Sequence, residues 1–127
     1  MKNQIVLGLD PGSRTTGFAV VEFTATSRKV LICDVIKLDK IPEHQDRLKE
    51  LFEHIQQLIE VYKPTTAAVE TPVYGKDPLA MLKLGRAQAA CILAPKLAGL
   101  TISEYYPKSI KKAITGNGNA TKEQVAR

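Results

Sequence analysis

Residues 3–9 are apolar at Ile5, Val6, Leu7 and Leu9 without alternating, which reads as a strand buried on both faces at the centre of a sheet. Gly17 to Phe23 is the next strand. The polar stretch at 24–29 is a turn. Val30 to Leu38 is a third strand, with Val30, Ile32, Asp34 and Ile36 on one face and Leu31, Cys33, Val35 and Lys37 on the other. Three strands joined by short turns predict an antiparallel meander. Pro42 suits a helix start. From Glu43 to Tyr62, Leu48, Leu51, Phe52, Ile55, Leu58, Ile59 and Tyr62 form a helical stripe. Glu43, Asp46, Lys49, Glu50, Glu53, Gln57 and Glu60 fill the opposite face. His44 and His54 fall on or near that solvated face, and neither has a histidine partner at i+4.

Lys63-Pro64 ends the helix. Thr66 to Val69 is a short strand, and a strand–helix–strand crossover makes it parallel to one already in the sheet. Asp77-Pro78 is a cap followed by a first-turn proline, predicting a helix from about Leu79 to Leu97 closed by Gly99. Leu79, Leu82, Ala89, Ala90, Leu93 and Leu97 form its expected apolar side. Pro95 should kink or shorten its last turn. A fifth strand covers Thr101 to Tyr106. A short helix from Pro107 to Ala113, a loop at 116–119 and a final helix from Ala120 complete the chain. The expected fold class is α/β, a five-stranded mixed sheet flanked by helices.

At 127 residues, 44% of them hydrophobic and 24% charged, the chain fits one soluble domain with a real core. Its apolar runs fall far short of the roughly 18 residues of a membrane helix. Residues 5–9 are too short for a signal-peptide core. The expectation is a cytoplasmic protein with no membrane partner. Cys33 and Cys91 lie in apolar segments without paired spacing and read as buried reduced thiols. The net charge of +5 is unevenly spread: residues 1–70 hold 9 basic and 10 acidic side chains, and residues 71–127 hold 9 and 3. A basic second half suggests a polyanionic partner, nucleic acid before membrane.

Two acids share one pattern. Asp10 ends the first apolar strand and enters Pro11-Gly12; Glu70 ends the Thr66–Val69 strand and enters Thr71-Pro72. Carboxylates at the ends of neighbouring strands suit a hard cation such as Mg²⁺. A pair of such ions about 4 Å apart can clamp the attacking and leaving oxygens of a phosphodiester. Each acid alone also fits a turn cap or an ion pair with Arg14 or Lys76. The Asp-Pro-Gly-Ser-Arg-Thr-Thr-Gly loop could hold phosphate through backbone amides. Tyr74 could stack on an unpaired base. Lys108, Lys111, Lys112 and Lys122 crowd the last twenty residues and could hold phosphates or stabilise developing charge. Arg14, Lys76 and Lys83 join them as candidate DNA contacts.

These features together resemble the RuvC family of bacterial Holliday-junction resolvases, within the RNase H-like nuclease superfamily. The resemblance rests on Leu7 to Gly17, on Val69-Glu70, on Leu82 to Ala89, and on Ile110 to Gly118 with Ala120 to Val125. It implies a homodimer that resolves four-way junction DNA by paired, metal-dependent nicks during recombination and repair, alongside the RuvA and RuvB branch-migration machinery. It implies two Mg²⁺ ions per active site, with Mn²⁺ as a substitute. Asp10 and Glu70 match the first two metal-binding acids, and Lys111 and Lys122 match catalytic lysines near the scissile phosphate. The family's base-wedging aromatic falls at Val73 or the adjacent Tyr74.

The family completes its site with an Asp followed three residues later by Asp or His on a last helix. Downstream of Glu70 this sequence has Asp77, Glu104 and Glu123 as its acids, none in that pattern. Residues 1–127 are therefore expected to be a single nuclease core, truncated at the C-terminus and inactive or severely impaired. Two other readings fit parts of the sequence: a non-catalytic junction-binding module, for which the basic half suffices, and an actin-like ATPase. An actin-like ATPase needs two such domains and a second phosphate loop.

Overall fold

The computed structural model describes residues 3–73 and 75–106. Runs rich in Val, Ile and Leu form the strands β1 (Gln4–Asp10), β2 (Thr15–Phe23) and β3 (Arg28–Lys37). They make the expected antiparallel meander. Helix α1 (His44–Tyr62) leads to β4 (Thr66–Glu70), and helix α2 (Pro78–Leu97) leads to β5 (Thr101–Tyr105). The sheet order is β3-β2-β1-β4-β5, with β4 parallel to both β1 and β5. The expected helix at 107–113, loop at 116–119 and helix from 120 lie outside the described residues, as do Tyr74, Lys108, Lys111, Lys112 and Lys122.

One face of the sheet carries the core. Leu7, Leu9, Phe18, Val20 and Val69 point toward Leu51, Ile55 and Leu58 of α1 and Ala87, Cys91 and Ala94 of α2. Leu51 and Ile55 are fully buried, and truncating such a side chain to alanine costs about 2–5 kcal/mol. The expectation that β1 is buried on both faces is corrected. Val6 and Gly8, with Ala19 and Ala68 beside them, stay half-exposed, because the described helices share one cluster with the Leu7–Leu9 side.

Strand β3 is an edge, and a bulge between its pairings with Val20 and Val21 interrupts its alternation. Cys33 pairs with Ala19 on the sheet face that no described helix covers and is exposed rather than buried, whereas Cys91 is sealed in the core. Helix α1 starts two residues after Pro42. Glu43 is its N-cap, in extended conformation and without a side-chain cap bond. Its stripe is as expected, and it ends on Lys63 in the left-handed region (φ 51°), whose N–H donates to Ile59 O.

Asp77 caps α2 by accepting from the N–H groups of Leu79 and Ala80 at 3.1 and 3.4 Å. The buried side of α2 differs from the one expected. Ala87, Cys91, Ala94 and Pro95 face the sheet, while Leu79, Leu82, Leu93 and Leu97 are at least half-exposed. The helix is apolar nearly all round, so periodicity could not choose its inner side; the small residues won because they permit close approach. Pro95 sits buried inside a last turn that continues to Leu97. No described helix is long and apolar enough to cross a membrane.

Candidate active site

Asp10 is the last residue of β1 and Glu70 the last of β4. Those strands run parallel with Leu9 opposite Val69, so the acids are lateral neighbours one step further on. Adjacent strands lie about 5 Å apart, which lets two carboxylates reach one ion. Both acids line a pocket of about 190 Å³ with Pro11, Thr71, Pro72, Val73 and Leu84 of α2. Asp10 is exposed and Glu70 half-buried.

The turn after Asp10 is tightly held. The Gly12 N–H donates to Thr16 Oγ1 at 3.2 Å, and the Thr16 hydroxyl donates to Gly12 O at 3.1 Å. Thr16 is fully buried, and a Cβ on Gly12 would lie 2.0 Å from Thr15 O. Gly17 pairs with Asp10 across the ladder, and a Cβ there would meet the Asp10 Cβ at 3.6 Å. Beyond Glu70, the Thr71 N–H donates to Tyr105 O, tying that loop to β5. Burial pushes the Cys91 thiol up to about 12, and the Asp10 carboxylate adds to this. The thiol under the site is therefore protonated and inert near neutrality.

Among the sequence candidates, Arg14 lies in the turn after Asp10, and its carbonyl accepts from the Leu38 N–H at 2.7 Å. Lys76 is exposed in the loop before α2, and Lys83 is half-buried one residue before Leu84. Val73 is 64% exposed at the mouth of the acid pocket. Among the described residues, no group of three or more His, Cys, Asp or Glu is placed to hold a metal.

A cationic cluster escaped the sequence reading. His44 is half-buried, and both its ring nitrogens are sealed from solvent without a hydrogen-bond partner among the described residues. Burial holds its pKa down, as do the charges of Arg86, Lys83 and Arg47. Arg47 is 8% exposed, and its Nε donates to Ile41 O at 2.6 Å. The available signal was Arg47 itself, a charge on the 47-51-55-58 stripe. His54 is not a solvated residue either; its ring packs 6.1 Å from that of Phe18.

Comparison with known proteins is consistent across sequence and structure. A curated relative from Salinibacter ruber, "Crossover junction endodeoxyribonuclease RuvC", is 45% identical over 95% of this chain and 68% of its own. The protein of the same description from Porphyromonas gingivalis is 42% identical over 98% of this chain and 66% of its own. The chain thus spans about two thirds of the length of these curated relatives. The structure of T. thermophilus RuvC in complex with Holliday junction substrate matches with a TM-score of 0.85 and 28% identity, covering 96% of this chain and 74% of that one. The yeast mitochondrial Holliday junction resolvase Ydc2 shares the fold at a TM-score of 0.65 and 14% identity. The family model for the crossover junction endodeoxyribonuclease RuvC matches residues 6–127, and the chain belongs to that family.

Proposed function

We propose that residues 1–127 form a single nuclease core of a cytoplasmic endonuclease that resolves four-way DNA junctions, with Asp10 and Glu70 as metal-binding catalytic acids. The observation that carries this reading is the lateral pairing of the two acids at the ends of β1 and β4, over an open pocket. Their oxygen donors suit Mg²⁺, which tolerates one or two carboxylates and keeps several waters. Bound there, Mg²⁺ would activate water for attack and offset charge on the leaving 3′-oxygen. The chain's own part is to hold both carboxylates still through the Gly12–Thr16 clasp and the Thr71–Tyr105 bond. Arg14, Lys76 and Lys83 neutralise flanking phosphates. Lys108, Lys111, Lys112 and Lys122 are assigned to the same duty, with Lys111 and Lys122 nearest the scissile phosphate, and Val73 or Tyr74 contacts a base.

The homodimer is supported by the outer face of α2. Leu82, Leu93 and Leu97 are 50%, 51% and 69% exposed there, with Gly85 and Ala89 exposed between them. A second copy of the same face would cover that stripe, with the small residues letting the helices approach. Cooperation with RuvA and RuvB rests on family membership.

Among the described residues the site offers two carboxylates, so a polypeptide of these 127 residues is expected to bind metal weakly and nick slowly. A labelled four-way junction incubated with it and Mg²⁺ should be bound in preference to duplex and cut sparingly, and Asp10→Asn should remove the residual cutting. Brisk paired nicking would refute the need for further acids. A second reading, a non-catalytic junction-binding module, is favoured by the absence of any three-donor group among the described residues. It predicts no cutting at all and the same Mg²⁺ affinity with and without Asp10→Asn.

A further inference from the structure

We infer that the α1–α2 junction, built from His44, Arg47, Lys83 and Arg86, is a second phosphodiester-binding site for the DNA backbone, and that its occupancy takes up a proton at His44. The inference rests on the DNA-binding reading above and adds a contact separate from the acid pair.

Four observations meet at this place. Arg47 is nine-tenths buried, yet the partner of its guanidinium is a neutral carbonyl, Ile41 O. No acid among the described residues pairs with Arg47, Lys83 or Arg86; the ion pair found there is Lys49–Glu53, elsewhere on α1. Both nitrogens of His44 are shut off from water with nothing among the described residues to bond them. A buried unpartnered polar group costs about 1–3 kcal/mol, so a ligand that bonds it is favoured. Finally, the first turn of α1 has no side-chain cap, leaving backbone N–H donors and the positive end of the helix dipole beside three cations. Glu43 and Asp46 stand at the same turn but are exposed and pair with none of these three cations, which leaves the cluster net positive.

The place also suits DNA. Lys37 pairs with Thr15, and the Leu38 N–H bonds Arg14 O. The start of α1 therefore lies along the same sheet edge as the turn after Asp10. Leu84 lines the acid pocket, and Lys83 and Arg86 lie within one helical turn of it. A strand whose scissile phosphate met the acids would have a neighbouring phosphate near this cluster.

The proton follows from the charges. In the free protein Arg86 and Lys83 from α2 and Arg47 from α1 disfavour the imidazolium. A phosphodiester held by Lys83 and the exposed Arg86 reverses the local field at the ring. The pKa of His44 then rises on binding, so affinity rises as pH falls. A rise of one pKa unit is worth about tenfold in affinity below both values.

The test measures affinity for a labelled four-way junction in EDTA from pH 5.5 to 7.5 and across a salt series. Phosphodiesters do not titrate in that range. Wild type should bind more tightly at the acid end, by up to about tenfold for a rise of one unit. His44→Gln should flatten that profile, and His54→Gln should leave it intact. Arg86→Ala, at an exposed position, should lower the log–log salt slope by about 1. A His44→Gln profile as steep as wild type, or an unchanged slope in Arg86→Ala, overturns the inference. Imidazole NMR shifts of His44 separate the sources of anion: movement with junction at micromolar concentrations but not with equimolar sodium sulfate supports DNA, and the reverse overturns it. If wild type binds no junction at any pH, the functional reading itself has failed.

Discussion

Alanine at Gly12 tests how the acid-bearing end of β1 is held. The new Cβ would lie 2.0 Å from Thr15 O and 3.2 Å from Thr15 C. Both are backbone atoms, so no flexible side chain can swing aside. Restoring an ordinary carbon–oxygen contact moves the turn by more than an ångström. That displacement endangers both Thr16–Gly12 hydrogen bonds, each worth about 1 kcal/mol net. Residual crowding adds about 1–3 kcal/mol, for a loss of about 3–5 kcal/mol in all. Against a native stability of about 5–15 kcal/mol this is severe, and a midpoint drop of roughly 10 °C accompanies it. Gly8→Ala is the control. It lies four residues earlier, within β1, and its Cβ would be 3.7 Å from Ala19 O, an ordinary contact. There the removal of glycine's entropy cost makes alanine neutral or stabilising by up to about 1 kcal/mol. Urea titrations followed by far-UV circular dichroism would measure both. The reasoning fails if Gly12→Ala unfolds within about 0.5 kcal/mol of wild type, or if Gly8→Ala costs as much.

Thr16→Val should cost about 1–3 kcal/mol by stranding the Gly12 polar groups, while Thr16→Ser should keep the clasp; thermal melts of the pair distinguish hydroxyl from methyl. An aromatic disulfide reagent should titrate one thiol rapidly in the native protein, Cys33, and Cys91 only after denaturant is added. Leu93→Glu should drive the protein to monomers in sedimentation experiments without lowering the melting temperature of the monomer. The folded-state pKa of His44 lies below its ordinary 6.5, so the unfolded chain binds that proton first. Stability should therefore fall as pH drops below 6.5, and His44→Gln should flatten this part of the profile in urea melts at pH 5.0 to 7.5.

Much of the fold was legible because short apolar runs separated by polar turns mark β1 to β3, and α1 carries a helical stripe. The α1 stripe of Leu51, Ile55 and Leu58 could face nothing but a core. Helix α2 was legible as a helix, through Asp77 and Pro78, but not in orientation. It has leucines on one side and alanines on another, and hydrophobicity alone prefers the leucines inside. Packing against a sheet rewards close approach, so Ala87, Cys91 and Ala94 took the inner side and the leucines were left outside. Cys33 misled for a related reason: its neighbours are apolar, but it pairs with Ala19 on the face that no described helix covers, and which face is covered is a property of the sheet rather than of the segment. His44 and Arg47 could not be read as a cluster because two of its members, Lys83 and Arg86, come from another helix.

The acids were visible as a repeated strand–acid–proline pattern, but their adjacency was not, and it follows from packing rather than chemistry. Two strand-end carboxylates meet only if β4 lies beside β1 and the two are in phase. Helix α1 makes the parallel placement possible. The phase is pinned by Leu9 and Val69, paired in register and 4% and 0% exposed. A slip of one residue would turn Val69 outward and Glu70 toward Leu51 and Ile55. That would expose a buried valine and bury a carboxylate in the apolar core, together several kcal/mol. The site geometry is thus enforced one residue upstream of each acid by side chains that never touch a ligand. It follows that Val69→Thr, which keeps the shape but weakens the inward preference, disturbs metal binding by loosening the register even though it alters no donor.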